Sequence, residues 1–219
     1  MKNKVLAIAV HPDDETLGCG GTLLKHKSNS DEVHWLICTE TEDGSEFFCK
    51  RNNEIKEVSR IYSFDSVENL KLKTMKVDEY SMSELVSKIS KIINKIRPNI
   101  IYLPFKGDVH SDHRKIFEAA YSCTKSFRYP FIKKIYMIET VSETEFAPSM
   151  REDSFVPNVF VDISEYMNLK LRIMNIFASE ISEHPFPRSD KNIKALATFR
   201  GATAGCEYAE SFMLLKEIC

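Results

Sequence analysis

At 219 residues the chain is long enough for one α/β domain with a substantial core and short for two. Its 30 Lys and Arg against 32 Asp and Glu leave a formal net charge of −2, which excludes a general attraction to nucleic acid or to an anionic membrane surface. The six cysteines form no CxxC pair and no zinc-finger spacing, and the first apolar stretch is too short for a signal segment or a membrane span. We expect reduced thiols in a cytoplasmic chain without membrane insertion.

The run KVLAIAV (4–10) reads as a strand buried on both faces, and EVHWLICT (32–39) and NIIYLP (99–104) repeat the pattern. Helical spacing follows at 16–27, 48–62 and 81–96, the last with Leu85, Ile89, Ile92, Ile93 and Ile96 on one face before Pro98. The glycines of GCGGT (18–22) lack the spacing of a dinucleotide or phosphate loop and predict close packing of the first helix on the sheet. His34 and Trp35 read as packing residues, His26 as exposed, and the lysine-rich 71–95 as a solvated face.

Further along, a helix is predicted at 112–125, strands at KKIYMIET and NVFVDI, a helix over 164–179, another near 190–200, and a strand at ESFMLLKEI. HPFPRSD (184–190) reads as a rigid surface loop, in which His184 is a weak candidate for substrate contact. Arg188 and Arg200 are expected to pair with acidic groups or, failing that, to hold an anionic substrate group. Alternating strands and helices predict a Rossmann-like, mostly parallel sheet flanked by helices, in one domain over 1–219.

Ligands of such sheets bind at the carboxyl ends of strands, and two polar segments fall there: HPDDE (11–15) and PFKGDVHSDH (104–113). HPDDE alone reads equally as a helix-capping turn. Paired with HSDH it points to a metal, with His11, Asp14 and His113 supplying ligands of the types that zinc prefers. Pro12 holds His11 extended, and Asp13 lies beside the metal as a base. His110, if protonated, stabilises an oxyanion, and Asp112 orients an imidazole. Fe²⁺, Co²⁺ or Mn²⁺ would suit the same ligand set.

VHPDDE and HSDH together resemble the motifs of the LmbE-like, PIG-L-type zinc-dependent N-acetylglucosaminyl de-N-acetylases. The resemblance implies the same roles for His11, Asp13, Asp14, His110 and His113, and adds Arg51, in KRNNE with Glu54, as a substrate contact. Glu15 and Asp108 are expected on the substrate side as well; Asp108 stands where some members carry a tyrosine. NVFVDISEYMNLKLRIMNIFASE, PFPRS and RGATAGCEYAESF are similar to the bacterial sugar-deacetylase branch that includes the bacillithiol-pathway enzymes. The implied activity is removal of acetyl from an N-acetylated amino sugar, a GlcNAc conjugate or a nucleotide-linked amino sugar, by a homo-oligomer. Two alternatives stand beside it: an amidase acting on a thiol conjugate, and a non-catalytic, cation-dependent sugar- or nucleotide-binding module.

Overall fold

A computed structural model of the chain describes residues 2–41, 44 and 46–219. Strands β1 (Lys4–Ala9), β2 (Glu32–Glu40), β3 (Ser66–Lys73), β4 (Ile100–Leu103), β5 (Lys134–Ile138), β6 (Val159–Asp162) and β7 (Ala209–Glu217) form one seven-stranded sheet in the order β3-β2-β1-β4-β5-β7-β6. The first five pair in parallel, and β7 runs antiparallel between β5 and β6. From β1 the chain winds outward to β3 and then returns to lay β4 on the other side of β1. The two strands flanking that reversal open a crevice at their carboxyl ends.

Alternation along β1 explains the two cores. Val5, Ala7 and Ala9 face one, with residues of helices α1 (Asp14–Ser28), α2 (Glu46–Tyr62), α5 (Met167–Met174) and α6 (Asp190–Ala204). Leu6, Ile8 and Val10 face the other, with α3 (Met82–Ile96) and α4 (Ser111–Ser122). A strand covered on both sides has no polar face to show, which is why the run 4–10 reads so clearly. The Ser81 hydroxyl accepts the Glu84 amide at 3.2 Å at the start of α3, and Arg97, with φ 55°, closes its end.

Helix α1 begins at Asp14, two residues earlier than expected, and breaks at Cys19. The break frees the amides of Gly21 and Thr22, which donate to the Glu210 carboxylate at 2.8 and 2.7 Å, and Lys170 Nζ neutralises that carboxylate at 2.7 Å. An internal carboxylate thus takes the amides that a phosphate loop would offer. The packing role of the glycines holds: a Cβ on Gly18 would lie 2.6 Å from Ile138 Cδ1, and one on Gly21 2.7 Å from Ile163 Cβ.

Three expectations are corrected. The edge strand β3 is missing from the sequence reading because only Leu72 of SVENLKLK is buried, so no apolar run marks it. The helix expected over 164–179 is regular only at Met167–Met174. His26 is half-buried rather than exposed, bonded to Asp31 Oδ2 at 2.7 Å and Tyr102 Oη at 3.0 Å.

Candidate active site

The chain leaves β1 at His11 and turns into α1 within three residues. Asp14 Oδ2 accepts the His11 amide at 2.7 Å, so the turn fastens its own carboxylate. Asp13 sits at φ 150°, ψ −26°, a conformation that L-residues rarely adopt and that costs on the order of 1–3 kcal/mol. Its carbonyl accepts the amides of Thr16 and Leu17, both at 2.9 Å, and so starts the helix. The capping reading of HPDDE therefore holds for the Asp13 backbone, while no side-chain cap forms.

From the end of β4 the second segment brings His110 to the N-cap of α4, where its Nδ1 accepts the Asp112 amide at 3.1 Å. His113, one turn in, is fully buried and stands between two carboxylates: Nδ1 donates to Asp108 Oδ2 at 2.9 Å, and Nε2 lies 3.3 Å from Asp14 Oδ2. His113 Nε2 is also 3.4 Å from His11 Nδ1, which in turn is 3.7 Å from Asp14 Oδ2. Two ring nitrogens and one carboxylate oxygen, from segments a hundred residues apart, thus converge on one point.

The electrostatics of this point favour positive charge. Burial would lower the His113 pKa, yet Asp14 and Asp108 outweigh it and hold the imidazole well above its ordinary value. Burial would raise Asp14, but the His113 charge and hydrogen bond hold it well below the carboxylate range. A centre of this kind, with a carboxylate backing the buried imidazole, has the donor chemistry of a divalent-metal site. His11, His110 and Asp112 form a second close group. There, however, Asp112 already accepts the amides of Met75 and Val77 at 2.7 and 3.2 Å, and His110 Nδ1 is used by the cap.

Beside the convergence lies a cavity of about 270 Å³ lined by His11, Asp13 and His110 on one wall. Burial, then the Asp14 charge, push the Asp13 carboxyl up to about 7, with Arg188 opposing. The opposite wall is a chain of ion pairs: Arg51 to Glu180, Glu180 to Arg188 at 2.8 Å, and Arg188 to Asp13 Oδ2 at 2.9 Å. Arg188 Nη2 also lies 3.6 Å from Glu143, and its Nε donates to Ser142 Oγ at 2.8 Å.

The residues expected at the site separate into two groups. His11, Asp13, Asp14, His110, Asp112 and His113 come together, and Arg51 lines the cavity. The protonation on which the oxyanion role of His110 was conditional is not met near neutral pH: burial, then His11 and His113, push its pKa down to about 4, and with Nδ1 accepting at the cap its hydrogen is on Nε2. Asp112 lies nearest His11 Nε2, at 3.5 Å.

Two expected substrate contacts face away. Asp108 has no exposed surface and is used by His113 and by the Thr144 hydroxyl at 2.7 Å. Glu15 is buried, its Oε1 accepts the Thr16 hydroxyl at 2.6 Å, and burial pushes its pKa up to about 8. Neither lines the cavity. Arg200 pairs with Glu139 at 2.5 Å, as pairing predicted. Arg188 is the larger surprise, because the proline-rich loop expected at the surface carries its guanidinium into the site. Glu143 and Glu180 carry no sequence signal, whereas the one arginine of the HPFPRSD loop was a detectable hint.

Residues 6–124 match the family model PIG-L, described as GlcNAc-PI de-N-acetylase. The diacetylchitobiose deacetylase of Thermococcus kodakarensis is 27% identical over 228 residues, covering 98% of this chain and 84% of the relative. Among solved structures, the N,N'-diacetylchitobiose deacetylase of Pyrococcus horikoshii superposes with a TM-score of 0.78 at 24% identity, over 98% of this chain and 84% of that one. GalB of Pseudomonas putida KT2440, a 4-carboxy-2-hydroxymuconate hydratase, superposes with a TM-score of 0.77 at 16% identity, over 100% and 98% of the two chains. The same fold therefore carries a second chemistry, and what distinguishes one from the other is the residues at the site.

Proposed function

We propose that this chain, which belongs to the PIG-L family of de-N-acetylases, removes acetate from an N-acetylated amino sugar, a GlcNAc-type conjugate. The observation that carries the proposal is the convergence of His11 Nδ1, Asp14 Oδ2 and His113 Nε2, 3.3–3.7 Å apart, with Asp13 beside them at the cavity. These three residues would hold the metal, with zinc the choice for this donor set. Bound there, a divalent cation makes water more acidic and polarises an amide carbonyl.

Asp13 then has the work of a proton carrier. Burial raises its affinity for a proton, which suits it to take one from the attacking water and later pass it to the departing amine. Arg188, 2.9 Å away, fixes the Asp13 carboxylate in place, and the strained backbone at Asp13 aims it toward the cavity. His110 presents an uncharged Nε2–H to the acetamide oxygen as charge builds on it. Asp108 keeps His113 oriented from behind. One water is consumed, and one acetate and one primary amine leave.

The reading extends to one domain over 1–219, supported by a single sheet that takes in all seven strands. It extends also to a cytoplasmic location, supported by the absence of a CxxC pair and of any described helix long and apolar enough to cross a membrane. The resemblance of the motifs supports assembly as a homo-oligomer. The experiment is a panel of N-acetyl amino sugars given to the zinc-loaded protein, with acetate and new primary amine measured together. Equimolar release is expected. Release of a different acid from a thiol conjugate would move the reading to an amidase, and release from no compound would leave a binding module.

A further inference from the structure

The charges around the cavity bear on what the sugar carries. Among the described residues four carboxylates line it, Asp13, Glu40, Glu143 and Glu180, against two guanidiniums. Both guanidiniums are paired with carboxylates of the protein. Arg51 sets Nε 3.4 Å from Glu54, gives Nη1 to the Pro12 carbonyl at 3.2 Å and Nη2 to Glu180 and Ser179, while the rings of Phe47 and Phe177 each lie 5.2 Å from its Cζ. Arg188 gives Nε to Ser142 and Nη1 to Asp13 and Glu180, and its Nη2 stands 3.6 Å from Glu143 as a looser ion pair.

An anionic group needs cationic donors to replace its water. An anion here would compete with partly buried carboxylates for the two arginines, and weakening those pairs is destabilising. Lys71, the lysine nearest to Glu40, is 3.9 Å from it, does not line the cavity and has a side chain 70% exposed. Glu40 itself lines the cavity, and among the described residues its side chain meets Lys71 and takes a 3.4 Å bond from Asn69. Toward the mouth the surface turns apolar, with Phe47 and Met75 on the lining at 41% and 75% exposure.

From this balance we infer that the substrate beyond its acetamido sugar is uncharged: a neutral glycan, whose hydroxyls donate to Glu40 and Glu143 and whose C–H face lies on Phe47 and Met75. The inference rests on the deacetylase reading and narrows it against nucleotide-linked, phosphorylated or carboxylated conjugates. Glu40, which holds neither arginine, stands against an acidic ligand at the cavity.

The test uses the zinc-loaded full chain and a matched pair of GlcNAc glycosides, one with a neutral sugar as aglycone and one in which that sugar bears a carboxylate. At low salt kcat/KM for amine release is expected to favour the neutral glycoside by about tenfold or more. Added salt should raise turnover of the anionic glycoside and leave the neutral one nearly level, and Glu40→Gln should narrow the ratio. Equal or faster turnover of the anionic glycoside at low salt overturns the inference and leaves the deacetylase reading standing. If neither releases amine, that reading fails, and calorimetric binding of the same pair decides the inference. Tighter binding of the neutral glycoside upholds it, and any other order overturns it.

Discussion

The wall at the ends of β1 and β4 takes its groups from two short segments, 11–14 and 110–113, each held by its own turn or cap. The rest of the lining gathers Arg51, Glu143, Glu180 and Arg188 from α2 and from loops spread over the chain's second half, held by one another's charges and by bonds to Pro12, Ser142 and Ser179. The first wall is specified locally and then brought together by sheet topology. The second exists only after the whole chain has folded. Chemistry that must be positioned within a fraction of an ångström is thus anchored on rigid elements, while the walls that read the substrate hang on loops.

Mutations on the two walls should fail differently, and the size of each failure tests the contrast. The largest effect is expected for Asp13→Asn, a fall in kcat of about 10²–10⁴ with metal content unchanged by elemental analysis; near-normal turnover would remove the proton carrier. Next comes Arg188→Met on the loop wall, which leaves Asp13, Glu143 and Glu180 without their shared cation. A loss in kcat on the order of a hundredfold is expected, larger than any change in KM, with partial recovery in Arg188→Lys. If kcat holds, the loop wall is scaffold and the comparison breaks.

Asp108→Asn should weaken metal binding by about 10–100-fold in a competition assay, because His113 Nδ1 loses its carboxylate acceptor. Unchanged affinity would make Asp108 a packing group. The smallest effect is expected for Ser189→Ala, which removes the side-chain acceptor of the Asn192 amide, 3.3 Å away, at the start of α6. About 1 kcal/mol of stability should go, a fall of about 2–4 °C in melting temperature. The adjoining loop carries Arg188, so a larger drop in activity than in stability would show how firmly that wall depends on its helix.

The same contrast sets what could be read from sequence. Strands β1, β2 and β4 are marked by apolar runs because both their faces are covered, and the HPDDE and HSDH segments are marked by titratable residues crowded beside them. Edge strand β3 shows no such run, since most of its side chains are only half-covered. The resemblance puts Asp108, where some members carry a tyrosine, and Glu15 on the substrate side. Burial turned both inward, where each finds hydrogen-bond partners. Spacing left the charge of His110 open, since it carries no information on desolvation; burial, then the neighbouring imidazoles, keep it neutral. Glu143, Glu180 and the inward reach of Arg188 depend on contacts between residues far apart in the chain, which no local pattern encodes.

The central claim is that His11, Asp14 and His113 hold one catalytic metal ion. It is tested most directly by stripping the protein with a chelator and titrating zinc back while acetate release is measured. No release is expected from the stripped protein, then a rise that levels at about one zinc per chain, and no such rise in His113→Ala. Full activity in the stripped protein, or a wild-type titration curve in His113→Ala, would contradict it.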